Sequence, residues 1–241
     1  MRPLTASELL QIWENGWHHS ALNNALYLLL KAYNAPNIQA VKQLSIGERD
    51  ARLLELRTTL FGQRLINKAQ CPKCAESVEW EMDAKDMQLQ KPQLGASPKI
   101  FDIQIDGYAV RFRLPNSEDM LNISALTPRQ ILLNCIIEVK NEEKDDPKDA
   151  ITEGVFKALA QQMEEEDPQA NITMALSCPA CNHHWTAVFD ILTYLWAEID
   201  NWAKHLVQEV YILARAFGWS ERDILNMSVR RRQMYIEMLK T

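Results

Sequence analysis

The sequence lacks a long hydrophobic run. Its strongest apolar stretch, Ala25 to Leu30, stops at Lys31, far short of the ~20 residues a spanning helix needs. Glu8, Gln11 and Glu14 interrupt the N-terminal region, which excludes the apolar core of a signal peptide. The chain is therefore expected to be made and kept in the cytoplasm of the producing cell. Glycine is scarce, with 7 scattered among 241 residues, so no glycine-rich phosphate loop exists. A His-Glu-x-x-His motif is missing, and no nucleophile motif accompanies His18-His19 or His183-His184. An enzyme is not expected. Excess positive charge is lacking too: 26 Lys and Arg stand against 32 Asp and Glu, a net charge of −6. That excludes a global polycation for nucleic acid. Arg230-Arg-Arg232 is the one basic triplet, read as a solvated helix face or a contact for an acidic partner.

What is present is ordinary globular material, 47% hydrophobic and 24% charged, which excludes whole-chain disorder. Thr5-Ala-Ser-Glu8 and Ser45-Ile-Gly-Glu48 have the capping-box form that opens helices. A helix is expected over Ser20 to Tyr33, and the second box opens one that stops at Gly62. Val78, Trp80 and Met82 alternate as in a strand, and Lys85 to Pro98 reads as a linker. Ile100 to Ile105 and Tyr108 to Leu114 form a hairpin about Asp106-Gly107. Thr127-Pro128 opens a helix expected to run through Ile131, Leu132, Cys135 and Ile136, followed by a charged loop from Asn141 to Asp149. A further helix runs from Ile151 to Glu166, and its last turn, Glu164-Glu165-Glu166, opposes the helix dipole. Strands are expected over Asn171 to Ser177 and Trp185 to Phe189. The longest helix, Asp190 to Phe217, carries an apolar stripe through Leu195, Ile199, Leu206 and Leu213. Ser220 and Ser228 open two short terminal helices.

The sharp chemical signal is four of the five cysteines, set in two turns, Cys71-Pro-Lys-Cys74 and Cys178-Pro-Ala-Cys181. In a reducing compartment this spacing reads as metal rather than disulfide. Two such turns supply the four thiolates of one closed tetrahedral site, so Cys71, Cys74, Cys178 and Cys181 are expected to hold one structural zinc. A closed shell leaves no open position for substrate. The long stretch between the turns must then project as an inserted subdomain, which is tolerable because loop-closure entropy grows only logarithmically. Cys135 reads as a buried, inert thiol on an apolar helix face.

Several residue blocks surround these turns. They include Asp167-Pro-Gln-Ala170, Phe189-Asp190, Leu195-Trp-Ala-Glu-Ile-Asp200, and Ala216-Phe-Gly-Trp219 through Arg230-Arg-Arg232 and Tyr235. Earlier in the chain stand Arg2-Pro-Leu4 with Ile12-Trp13-Glu14, Gly47-Glu-Arg-Asp50 with Leu60-Phe-Gly62, and Phe112-Arg-Leu-Pro115. Together they resemble the baseplate protein family of T-even-type contractile phages and phage-like contractile injection systems, whose members are labelled baseplate hub protein or baseplate hub assembly chaperone. The resemblance implies a non-enzymatic role in building a contractile tail baseplate, with hub or spike proteins as partners and no catalytic residue to carry over. It points first to an assembly chaperone and second to a permanent baseplate subunit. From another class, a zinc-ribbon regulator binding nucleic acid is the alternative reading of the same cysteine turns.

The expected fold is α+β and mainly helical. Terminal helices (1–63 and 190–241) pack around a zinc-bridged β unit (64–84 and 171–189), with a hairpin and helices inserted over 85–170.

Overall fold

A computed structural model describes residues 1–89, 99–121, 126–141 and 151–240. Most of the expected linker from Lys85 to Pro98 and most of the charged loop from Asn141 to Asp149 lie outside these residues. Ten α-helices and seven strands occur among the described residues, an α+β architecture.

Four helices open the chain: α1 (Ala6–Gly16), α2 (Ala21–Ala32), α3 (Ile38–Lys42) and α4 (Ile46–Phe61). Thr5 and Glu8 form the full reciprocal capping box of α1. At α4 the Ser45 hydroxyl accepts from the Glu48 amide, while the Glu48 carboxylate accepts from Arg52 Nε at 2.8 Å. Gly62 ends α4 at φ +89°, a conformation glycine adopts without the Cβ penalty. The short α3 was not expected from the sequence, where only Asn37 as an N-cap marks it.

Strands β1 (Arg64–Gln70) and β2 (Ser77–Asp83) pair antiparallel. Next come β3 (Ile100–Ile105) and β4 (Tyr108–Arg113), joined at Asp106 and Gly107, both at positive φ. After α5 (Ser117–Leu121) and α6 (Pro128–Asn134), the structure corrects the sequence reading. The α6 helix stops before Cys135, and Ile136 opens a strand, β5 (Ile136–Asn141), that pairs with β4. The expected hairpin is therefore a three-stranded sheet. Residues 136–141 read Ile-Ile-Glu-Val-Lys-Asn, and pairing with β4 outweighs the run-on of helical spacing.

Helix α7 (Glu153–Glu166) ends in a short 3₁₀ turn, Pro168–Ala170. Its three terminal glutamates meet amide donors: Gln161 reaches Glu165, Gln162 reaches Glu166 and Asn171 reaches Glu164. Strands β6 (Thr173–Ser177) and β7 (His184–Val188) form the third sheet, followed by α8 (Ile191–Phe217), α9 (Glu221–Leu225) and α10 (Val229–Met238). Asp190 caps α8, and Gly218 closes it in the left-handed conformation.

Three apolar clusters result. The largest joins α1, α2 and α4 to the first half of α8, through residues such as Leu26, Leu29, Leu53, Leu56, Leu195 and Ile199. Each such side chain contributes about 1.5–3 kcal/mol of burial. The second packs Val155, Leu159 and Met163 of α7 against Val110, Phe112 and Ile136 of the three-stranded sheet. The third has only Leu213, Ile224 and Ile236 buried.

The first two clusters meet along a polar seam. Ser45 bridges Asn116, and the Ile46 amide donates to the Pro115 carbonyl. The Asp167 carboxylate accepts from Ser45 Oγ at 3.1 Å and from the Gly47 amide at 2.9 Å. Gln169 donates to the Met87 carbonyl and accepts from the Leu89 amide. The turn after α7 thus ties the inserted sheet to the start of α4 and, through residues 87–89, to the end of the first hairpin.

Candidate metal centre

Each cysteine turn is the loop of its own hairpin. Cys71 follows β1 and Ser77 opens β2; Cys178 follows β6 and His184 opens β7. The two loops share one hydrogen-bond plan. In the first, the Cys71 amide donates to the Glu76 carbonyl and the Ala75 amide donates to the Cys71 carbonyl, at 2.8 and 2.9 Å. In the second, the Cys178 amide donates to the His183 carbonyl and the Asn182 amide donates to the Cys178 carbonyl, both at 2.9 Å. The residue after each second cysteine is left-handed, Ala75 at φ +60° and Asn182 at φ +53°. That twist turns the chain back into its hairpin while both sulfurs stay on one side. Asparagine tolerates the conformation, whereas alanine adopts it at a cost of about 1–2 kcal/mol.

The fold brings all four expected ligands together. The ligand atoms of Cys71, Cys74, Cys178 and Cys181 lie within 4.8 Å of one another. Across the two loops, Cys71 Sγ stands 3.7 Å from Cys181 Sγ, and Cys74 Sγ stands 3.6 Å from Cys178 Sγ. Four sulfurs held at ~2.3 Å around one ion in a tetrahedron are about 3.8 Å apart, so the spacing fits a four-thiolate metal site. Cys71 and Cys178 are buried, Cys181 is half-buried and Cys74 is exposed. One side of the cluster therefore faces the protein and the other faces solvent.

The electrostatics point the same way. Burial opposes ionisation of Cys71, yet the amides of Cys74 and Lys73 outweigh it and bring this thiol down to about 7. For Cys74 the Glu76 amide favours the thiolate, but the sulfurs of Cys181, Cys178 and Cys71, together with burial, push it up to about 12. Four sulfurs this close do not all ionise on their own. A divalent cation held by the four sulfurs would remove that conflict by supplying the counter-charge.

Neither histidine beside the second loop joins the cluster. The His183 ring stacks on Trp185, and His184 Nδ1 pairs with Ser177 Oγ at 2.7 Å. Among the described residues, this cysteine quartet is the one group of three or more His, Cys, Asp or Glu side chains arranged to hold an ion. Cys135 is buried, as the sequence suggested, but it caps the end of α6 rather than lying on a helix face. Burial pushes its thiol up to about 12, and its Sγ lies 3.3 Å from the Ile131 carbonyl. Its Sγ also lies 3.5 Å from Arg113 Nη1, beside the Arg113–Asp119 ion pair.

Two features were not foreseen. One is the left-handed residue after each knuckle, whose only sequence signal is its equal offset from the second cysteine. The other is Tyr194 of α8, whose hydroxyl donates to the Ile66 carbonyl at 3.1 Å and accepts from the Ile66 amide at 3.0 Å. It covers backbone groups of β1 that an edge strand otherwise leaves open.

A family model described as T4 bacteriophage base plate protein matches residues 4–196, well over half of the chain and both cysteine turns. No curated protein and no solved structure matches.

Proposed function

The chain belongs to the T4 bacteriophage base plate protein family, and on that premise we propose that it is a non-enzymatic assembly chaperone that holds hub or spike subunits before they dock into the baseplate. One structural zinc on Cys71, Cys74, Cys178 and Cys181 closes its two hairpin loops. The observation that carries the baseplate role is the match itself, which spans α1 to α4, the inserted sheet and both cysteine loops; holding subunits before docking is the proposed step beyond it. The chemistry of the site supports a building role: a complete thiolate shell clamps two segments more than 100 residues apart in sequence and offers no open coordination position. Zinc supplies a cross-link here and no reaction. No helix among the described residues is long and apolar enough to cross a membrane.

The test is quantitative mass spectrometry of purified particles beside the producing lysate, together with a deletion. A chaperone is abundant in the lysate and absent from particles, and its deletion abolishes tail assembly. Presence at a fixed copy number per baseplate makes the protein a permanent subunit instead. An unchanged particle yield on deletion overturns the assembly role altogether.

A further inference from the structure

The family match ends at residue 196, inside α8. Beyond it, the second half of α8 with α9 and α10 forms a C-terminal lobe whose own core has three buried residues, Leu213, Ile224 and Ile236. The principal packing of α9 and α10 is against α8. The outside of this small lobe carries several large apolar side chains among its charged ones. Val207 and Tyr211 of α8 are 46% and 60% exposed, and Val229 and Met234 of α10 are 60% and 49% exposed. Large apolar side chains left exposed on so small a lobe mark a surface that sits against something.

The charge of the lobe defines what that something is. Between residues 201 and 240, seven lysines and arginines stand against four carboxylates, in a chain whose net charge is −6. Within the basic triplet, Arg232 is buried and pairs with Glu209 at 2.7 Å. Arg230 and Arg231 are exposed, and among the described residues no carboxylate pairs with them. Both sit in the first turn of α10, behind the N-cap Ser228, where the helix dipole disfavours a cation. Carboxylates arriving there relieve that conflict twice, by pairing with the guanidiniums and by facing the positive end of the helix.

We infer that the C-terminal lobe is the docking surface for a protein partner that presents an apolar seat rimmed with carboxylates. The inference rests on the assembly reading above and names the surface that carries it. Phosphate polymers fit less well, because two exposed arginines, of which Arg231 already lies over the Tyr235 ring, give few phosphate contacts and the apolar side chains gain nothing from them. Parallel self-pairing through α10 would set Arg230 and Arg231 against their own copies.

The experiment uses the full-length chain with two double variants, Arg230→Glu with Arg231→Glu, and Tyr211→Ser with Met234→Ser. Each is expressed in a deletion host, and each purified protein is tested for binding to the individually purified hub and spike proteins of the same particle. The expected result is one hub or spike protein that binds the wild-type chain, about tenfold or more weaker binding by each double variant, and loss of tail yield in the complemented host. Bound metal and melting temperature should stay at wild-type values, which separates lost docking from misfolding. Full complementation and unchanged binding by both variants overturn the docking surface while leaving the assembly reading intact. Unchanged tail yield in the deletion host itself overturns the assembly reading instead. Arginine-dependent binding of duplex DNA or anionic vesicles, or arginine-dependent self-association, in place of hub or spike binding also overturns the inference.

Discussion

Arg57 Nη2 of α4 donates to Glu198 Oε1 of α8 at 2.6 Å, from a guanidinium only 2% exposed. The same side chain donates to the carbonyls of Gly62 and Arg64 at 2.8 and 2.7 Å, and it lies over the Tyr194 ring. One buried cation thus ties the end of α4, the start of β1 and the first turns of α8. Breaking a buried pair by removing one partner costs about 3–5 kcal/mol. Arg57→Leu should fall near the lower end, because Glu198 is partly solvated and the two carbonyls carry most of the loss. Glu198→Gln keeps an acceptor and should cost less. Urea unfolding followed by tryptophan fluorescence measures both; equal costs for the two variants would mean that the carbonyl bonds of Arg57 contribute little.

The cysteine quartet makes a second set of expectations. The purified chain should contain about one zinc, and Cys71→Ser or Cys178→Ser should lose it together with a large part of the thermal stability. Cys135→Ala should keep the metal, because Cys135 lies outside the cluster. Chelation of the wild type should lower the melting temperature. Elemental analysis and calorimetry on the same samples decide the matter: a metal-free chain with an undisturbed melting curve would remove zinc from the account.

Much of this molecule is legible in its sequence because the relevant signals are local. Hydroxyl caps at Thr5, Ser20, Ser45, Ser220 and Ser228 each mark a helix start, and Asp106-Gly107 marks its hairpin. The cysteine quartet was legible because metal-ligand spacing survives any length of insertion. What was missed depends on distant partners. Ile136 belongs to a strand only because β4 lies beside it. Asp167 sits next to a proline and reads as a helix stop, yet its carboxylate holds the start of α4 from 120 residues away.

That contact leads to a prediction at Gly47. A Cβ built there would lie 2.1 Å from Asp167 Oδ1 and 3.0 Å from the Ala170 amide nitrogen. Gly47 is helical, so the usual helix-propensity gain of alanine, about 1 kcal/mol, should favour the substitution. The crowding acts on a carboxylate anchored by two hydrogen bonds and on backbone, neither of which yields easily. Gly47→Ala should therefore destabilise the chain by about 1–3 kcal/mol. Thermal unfolding of this variant beside Gly154→Ala, where the nearest contact is an ordinary 3.4 Å, separates the two effects. A Gly47→Ala protein as stable as wild type would show that Asp167 moves aside freely.

Asp50 supplies a pH signature. Burial pushes its carboxyl from the ordinary 3.8 up to about 6, against the opposing pull of Arg49, whose Nε donates to it at 2.7 Å. Burial pushes the Asp167 carboxyl up as well. A carboxyl raised in the folded state binds its proton more tightly there than in the unfolded chain. Its contribution is fully present below the unfolded value and is lost as pH rises through the folded one, here between about 4 and 6, with an upper limit of about 3 kcal/mol. Glu8 works in the opposite sense. The Arg2 guanidinium and the Thr5 amide bring it down to about 2, so its contribution holds above its unfolded value and disappears as pH falls toward 2. Acid also protonates the cysteine quartet and would release a metal held there, which lowers stability for a separate reason. The difference between wild type and Asp50→Asn cancels both of these, because Glu8 and the cysteines are the same in each. Relative to Asp50→Asn, the wild type should gain stability as pH falls from 7 to 4, with most of the change centred between 6 and 4. Parallel stability curves for the two proteins across that window would mean that Asp50 titrates near its unfolded value, and that the Arg49 contact offsets its burial in full.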